Sequence, residues 1–194
     1  MVYVPFTAEE LQNLEAKFQE ALSKNPQVKF EDLKPFEGAG VYVLYYVGDS
    51  PLYTDLADRP IYVGKAIPAG GRKGIALATT GKPLYQRIRQ HKGSVTAANN
   101  LNVEDFRVQW LALDPMWVGL CENLLIAHWK PVWNAVLDGF GNHDPGAGRR
   151  DGLISLWDAL HPGRSWSTLG KPRPETPEAI GKLVTTYLTA TKKP

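Results

Sequence analysis

Two short β-type runs, each carrying a tyrosine beside a glycine, constrain this chain more than any other feature. The first is Gly40-Val-Tyr-Val-Leu-Tyr-Tyr-Val-Gly48. It is β-branched and aromatic, with a glycine at each end, which is strand composition bounded by stop signals. Strand alternation puts Val41, Val43, Tyr45 and Val47 on one face and Tyr42, Leu44 and Tyr46 on the other. The second run is Ile61-Tyr62-Val63, opened by Pro60 and closed by Gly64. Asp49 to Arg59 between them is polar and too long for a tight turn, so a hairpin with an ordered excursion is expected.

The remaining elements follow from periodicity and caps. Thr7 to Lys24 reads as a helix with a Thr7/Glu10 capping box and a Leu11, Leu14, Phe18, Leu22 stripe. Lys29 to Glu37 reads as a link to the first strand. Pro83 opens a helix expected to run to Lys92, and Phe106 to Leu113 alternates as a third strand. Asp114 caps the next helix, which has Pro115 at its first position and stops at about Trp129 before Pro131. Leu153 to Leu160 suggests a short helix, and Thr176 to Thr191 a final amphipathic one suited to packing or to dimerisation.

Two helices hold charges where apolar residues belong. On the wheel, Leu84, Arg87, Ile88 and His91 share one third of the circumference. Either the two basic groups sit at the edge of the stripe and snorkel, or this face borders a cleft that expects an anion. Glu122 lies within about 60° of Val118, Leu125, Ile126 and Trp129. A carboxylate among apolar neighbours needs a partner, because burying a lone charge is costly. One reading is an ion pair, for instance with Arg87; the other is a carboxylate that holds a divalent metal.

The glycine-rich stretches 66–74 and 79–82 carry Arg72, Lys73 and Lys82. They read either as a solvated loop or as backbone that approaches nucleic acid, with basic side chains on phosphate. Asn142, His143 and Arg149 lie in the irregular tail after residue 135 and suit base-edge or phosphate contacts.

A length of 194 residues fits one domain, and 43% hydrophobic composition can bury a core. The single cysteine, Cys121, excludes an intrachain disulfide and a cysteine-rich zinc site. With no secretory signal and no apolar run near the roughly 20 residues of a membrane span, a cytoplasmic location is expected. A net charge of +2 does not by itself argue for nucleic acid, so any DNA-binding face must concentrate its lysines and arginines.

Gly40-Val41-Tyr42 and Tyr62-Val63-Gly64, followed in order by Arg87, His91, Glu122 and Asn134, resemble the signature of the GIY-YIG nuclease superfamily. The resemblance covers roughly residues 36 to 165. It is strongest to the type II restriction endonucleases that cut CCGCGG. Tyr62-Val-Gly-Lys-Ala-Ile-Pro-Ala-Gly70, Asp138-Gly-Phe-Gly-Asn-His-Asp-Pro-Gly-Ala-Gly-Arg149 and His161-Pro-Gly-Arg164 look like that subfamily. It implies an α+β fold with a small central antiparallel sheet flanked by helices, and one nuclease domain over 1–194. Its core would span about 36–135, with an N-terminal helix at 7–24 and a DNA-contacting or dimerising extension at about 136–194. The departures are valine for isoleucine at 41 and 63, both conservative strand residues.

The resemblance further implies catalysis by Tyr42, Tyr62, Lys65, Arg87, His91, Glu122 and Asn134. Arg72, Lys73, Lys82, Asn142, His143 and Arg149 would contact double-stranded DNA. Glu122 would hold Mg2+, with Mn2+ a possible substitute, because magnesium tolerates a single protein carboxylate completed by water and phosphate. Tyrosine has an ordinary pKa near 10 and needs nearby cations or a proton acceptor such as His91 to act as a base. Tyr42 is expected as base or water-orienting group, with Tyr62 as its partner. Cutting a palindrome suggests a homodimer, and a cognate DNA methyltransferase is expected in the host. A structure-directed or repair nuclease would expect an attached partner domain. A DNA-binding module that has lost catalysis would expect a replacement at Tyr42, Tyr62, Arg87 or Glu122, and all four are present.

Overall fold

The computed structural model describes residues 7–56, 58–68, 81–142 and 152–192. Its centre is a four-stranded, all-antiparallel sheet in the order β1-β4-β2-β3. The strands are β1 (Val28–Lys29), β2 (Gly40–Tyr46), β3 (Tyr62–Ala66) and β4 (Phe106–Ala112). Helices α1 (Ala8–Ser23), α2 (Pro83–Ala97), α3 (Pro115–Trp129), α4 (Val132–Ala135), α5 (Leu156–Leu160) and α6 (Pro177–Thr191) cover both faces. The fold is therefore α+β, as the sequence indicated.

All seven residues of β2 are buried, because it is an interior strand with helices above and below. Val41, Val43 and Tyr45 join Val63 and face Phe18 and Leu22 of α1 and Val118, Cys121 and Leu125 of α3. Tyr42, Leu44 and Tyr46 face the other way, into a larger core with Leu84 and Ile88 of α2, Trp133, Trp157, and Ile180, Val184 and Leu188 of α6. Ile180, Val184 and Leu188 of α6 are thus spent on packing, while Leu183 remains exposed.

β2 and β3 form the expected hairpin, with Tyr42 opposite Gly64 and Leu44 opposite Tyr62. The excursion between them contains a 3-10 turn at Pro51–Leu56, which packs on α6. Four boundaries differ from the sequence reading, and one of them is the start of α5 at Leu156 rather than Leu153. Val28–Lys29 pairs with Val108 and Arg107 as a short edge strand rather than serving only as a link. β3 runs through Gly64 to Ala66, so that glycine does not close the strand. α2 passes Gly93 and ends at Ala97, because buried Val95 extends the stripe of Leu84, Ile88 and His91 by another turn.

β3 is the other edge of the sheet, and α4 covers it. The Trp133 amide donates to the Ile61 carbonyl at 3.0 Å. The Asn134 side chain takes both outward groups of Val63: its Oδ1 accepts from the Val63 amide and its Nδ2 donates to the Val63 carbonyl, each at 2.8 Å. Among the described residues no helix is long and apolar enough to cross a membrane.

Candidate active site

Alternation along β3 puts its residues on two faces. Tyr62 and Gly64 lie on the side of Tyr42, whereas Lys65 lies on the side of α3. The candidate site therefore wraps around the edge of the sheet.

On the first face the Tyr42 hydroxyl meets His91 Nε2 at 2.5 Å. Tyr42 and His91 are both buried, and Tyr62 is partly buried beside them, its ring 6.1 Å from Tyr42 and 5.4 Å from His91. Gly64 makes this arrangement possible. A Cβ at that position would stand 2.3 Å from the Tyr42 hydroxyl and 2.8 Å from Tyr62 Cε1. Gly40 has a comparable reason on the other side of β2, where a Cβ would run into the Leu111 carbonyl of β4 at 2.0 Å. The glycines of both motifs are required by close approach of neighbouring atoms.

α2 delivers Arg87 and His91 to this face one turn apart, which favours the cleft reading of the stripe. Arg87 donates from Nη2 to the Gly141 carbonyl at 2.5 Å and from Nη1 to Gln90 at 3.1 Å. A cavity of about 300 Å³ opens beside it, lined in part by Arg87, His91, Ser94, Asn142 and Trp166. Burial pushes the Tyr42 phenol well above its ordinary value; the neighbouring Tyr62 adds to the rise, and the charge of Arg87 opposes it. Burial also raises Tyr62, against a downward pull from Arg87 and from a hydrogen bond with Tyr42, while Glu122 pushes it up.

On the second face Lys65 Nζ stands 2.6 Å from Glu122 Oε2. The ion pair that sequence reasoning offered for Glu122 exists, but its partner is Lys65 rather than Arg87. The centre of the α3 stripe is Val118, Cys121 and Leu125, so Glu122 sits at the stripe's margin with its side chain 15% exposed. Lys65 is 41% exposed, which leaves the carboxylate open to solvent on that side.

A family model of the Eco29kI GIY-YIG domain matches residues 34–188. The chain belongs to that family. It is a nuclease of the restriction-enzyme type, and such a domain implies binding to DNA. No curated protein gives a significant match.

Within the GIY-YIG domain the residues expected from the sequence fall into four groups. Tyr42, Tyr62, Arg87 and His91 converge on one side of β3, and Lys65 and Glu122 pair on the other. Asn134 spends its amide on the backbone between Tyr62 and Gly64. Of the candidate DNA contacts, Asn142 lines the cavity next to Arg87, whereas Lys82 is exposed at the start of α2. Arg72, Lys73, His143 and Arg149 lie outside the described residues.

The GIY-YIG site also includes neighbours that the sequence reading did not assign. The Phe140 ring stacks on His91 at 4.4 Å and meets the Tyr62 edge at 4.9 Å. The Gly141 carbonyl holds Arg87. Both lie in an irregular stretch with no periodicity to mark them; the signals available were an aromatic among glycines and the likeness of residues 138–149 to the subfamily, which assigns neither residue a role.

GIY-YIG nucleases generally depend on a divalent metal. Among the described residues no group of three or more His, Cys, Asp or Glu side chains is gathered as a metal cage. A lone Glu122 still suits magnesium, which needs one or two carboxylates when water and phosphate supply the rest.

Proposed function

We propose that the chain is a type II restriction endonuclease that hydrolyses phosphodiester bonds of double-stranded DNA at a GC-rich palindrome, CCGCGG. The observation that carries the chemistry is the 2.5 Å contact of Tyr42 with His91, beside Tyr62 and Arg87 and across the strand from Glu122. The sequence CCGCGG comes from the family likeness alone.

Hydrolysis requires a water to lose a proton as it attacks, a developing phosphorane charge to be balanced, and the leaving 3′ oxygen to be neutralised. Glu122 would hold Mg2+, or Mn2+ in its place. The ion would supply charge to the phosphate and the leaving oxygen. Tyr42 would accept the proton of the attacking water while passing its own to His91 Nε2. Burial disfavours a free phenolate at Tyr42, so the two transfers are coupled and the charge comes to rest on the imidazole. Tyr62, the more accessible of the two phenols, would orient the water. Arg87 would place a fixed positive charge beside the phosphate, where charge develops in the transition state. Lys65 would hold the Glu122 carboxylate until metal and DNA arrive. Asn134 would act through the backbone of β3 and not on the substrate.

Arg72, Lys73, Lys82, Asn142, His143 and Arg149 would contact the DNA. A palindromic target fits a two-fold homodimer with one site per subunit, working in the cytoplasm of a host that protects its own sites with a methyltransferase.

A plasmid with a single CCGCGG, digested with magnesium beside the Glu122→Gln variant and an EDTA control, tests this reading. The expected outcome is discrete cutting by the parent only. The Lys65–Glu122 pair is partly exposed and contributes at most about 1 kcal/mol, so the variant remains folded. Discrete cutting of mixed genomic DNA but not of that plasmid would keep the chemistry and remove the specificity. Binding without cutting under any divalent ion would identify a DNA-binding module instead.

A further inference from the structure

Arg164, which also lines the cavity beside Arg87, forms a buried ion pair with Asp158. Arg164 is 3% and Asp158 4% exposed. Arg164 Nε and Nη2 each donate to Asp158 at 2.7 Å, and Asp158 Oδ2 also accepts from the Ser155 hydroxyl at 2.6 Å. The guanidinium carbon lies between two indoles, 4.5 Å from the Trp157 ring and 4.4 Å from the Trp166 ring. A buried pair of this kind gives little net stability, since removing two charges from water costs about as much as their attraction returns.

The pair does hold something else. Arg164 Nη2 donates to the Gly139 carbonyl at 2.9 Å, and Nη1 donates to the Phe140 carbonyl at 3.2 Å. These two residues begin the segment whose next members touch the catalytic candidates. Phe140 packs on His91 and Tyr62, and the Gly141 carbonyl receives Arg87. An unbroken path of contacts therefore runs from Asp158 through Arg164 to three groups of the site.

We propose that Arg164, fixed by Asp158, is a positioning residue that sets the backbone of Gly139–Gly141 and through it the His91 imidazole, the Tyr62 ring and the Arg87 guanidinium. The planar fork is essential to this. One edge of it binds the carboxylate while the remaining donors reach two successive carbonyls, and a lysine ammonium cannot span both. The proposal rests on the phosphodiesterase reading of the site.

Arg164→Lys keeps the charge on Asp158 but loses the fork. Expected is a folded protein that binds a CCGCGG duplex in EDTA as the parent does. It cuts that duplex in single turnover roughly 100-fold more slowly, the scale of a catalytic group misplaced by about 1 Å. Phe140→Leu interrupts the same path further along. The double variant should be no slower than the slower single one, as for two changes acting through one segment. Tyrosine labelled with 13C at Cζ supplies a readout independent of cutting. In Arg164→Lys the Tyr42 and Tyr62 resonances should shift, and that of Tyr45, on the opposite face of the sheet, should stay. Parental cutting by folded Arg164→Lys, additive losses in the double variant, or unmoved Tyr42 and Tyr62 resonances would each overturn the proposal. If Arg164→Lys does not fold, Phe140→Leu carries the test by itself, and its cutting at the parental rate would be equally decisive against. A parent that cuts no DNA removes the phosphodiesterase reading, while the tyrosine resonances still decide the clamp.

Discussion

At the scale of single residues the site is a problem of space before it is one of charge. Two phenols and an imidazole occupy the room left by Gly64, and a methyl group there would overlap the Tyr42 hydroxyl. Gly64→Ala is expected to cost about 1–3 kcal/mol of stability, as overpacking does. The larger effect should be on chemistry, because both rings must move. We expect single-turnover cutting to fall roughly 100-fold while gel-shift binding in EDTA changes little. Parental cutting would show that the close approach of Gly64 to Tyr42 is not functional. The proposed proton path would also make Tyr42 and His91 a unit. Tyr42→Phe and His91→Ala should each abolish most of the cutting, and the double variant should lose little more than either one.

At the scale of elements, the strand that carries Tyr62 and Lys65 lies at a sheet edge and would be free to shift without α4. Asn134 replaces the missing neighbour strand over one residue, giving Val63 a donor and an acceptor. Asn134→Ala leaves two outward backbone groups of β3 without partners, which costs roughly 1–3 kcal/mol for a buried group. A thermal melt should show the loss, and cutting should drop with it because Tyr62 and Gly64 flank the residue that is released. If the melting temperature is unchanged, Asn134 does not hold the edge, and a direct role in the site becomes the better account. An asparagine after a helix-ending proline reads as an ordinary turn residue in the sequence. Only the pairing of β3 as the outermost strand gives its amide something to do.

At the scale of the whole molecule, a second buried polar chain joins the segments around the larger core. The Trp133 indole N–H donates to the Tyr53 hydroxyl, which donates to His161 Nε2; His161 Nδ1 donates to Asn100 Oδ1, and Asn100 donates to the Leu160 carbonyl. Asn100 Oδ1 can only accept, so Nδ1 carries the proton, and burial keeps the imidazole neutral with Nε2 as the acceptor. Burial lowers its pKa from 6.5 to about 3. The folded state thus binds fewer protons than the unfolded one between those values. The contribution of this histidine is complete above about pH 6.5 and is lost progressively as the pH falls toward 3. His161→Gln should melt lower than the parent at neutral pH yet show a shallower decline between pH 6.5 and 4. Parallel declines would mean that other groups govern the acid limb.

The α+β class was legible from the family resemblance, and the β2–β3 hairpin, the Thr7 capping box and the starts of α2, α3 and α6 from alternation, periodicity and caps. These signals depend only on neighbours within a turn or a strand. The shared face of Arg87 and His91 was legible for the same reason, whereas the meeting of Tyr42 with Tyr62 was implied only by the resemblance. Other features depend on chain segments far apart in sequence. The partner of Glu122 is Lys65 because β3 packs under α3, and no wheel on α3 alone can show that. Gly64 looks like a stop signal until β2 puts the Tyr42 hydroxyl beside it. Arg164 closes a family-like His161-Pro-Gly-Arg164 stretch with no assigned role until two tryptophans, an aspartate and two carbonyls close around it. Local patterns determine which residues share a face. The packing of one face on another decides which of them meet, because that depends on the burial of the whole apolar surface at once.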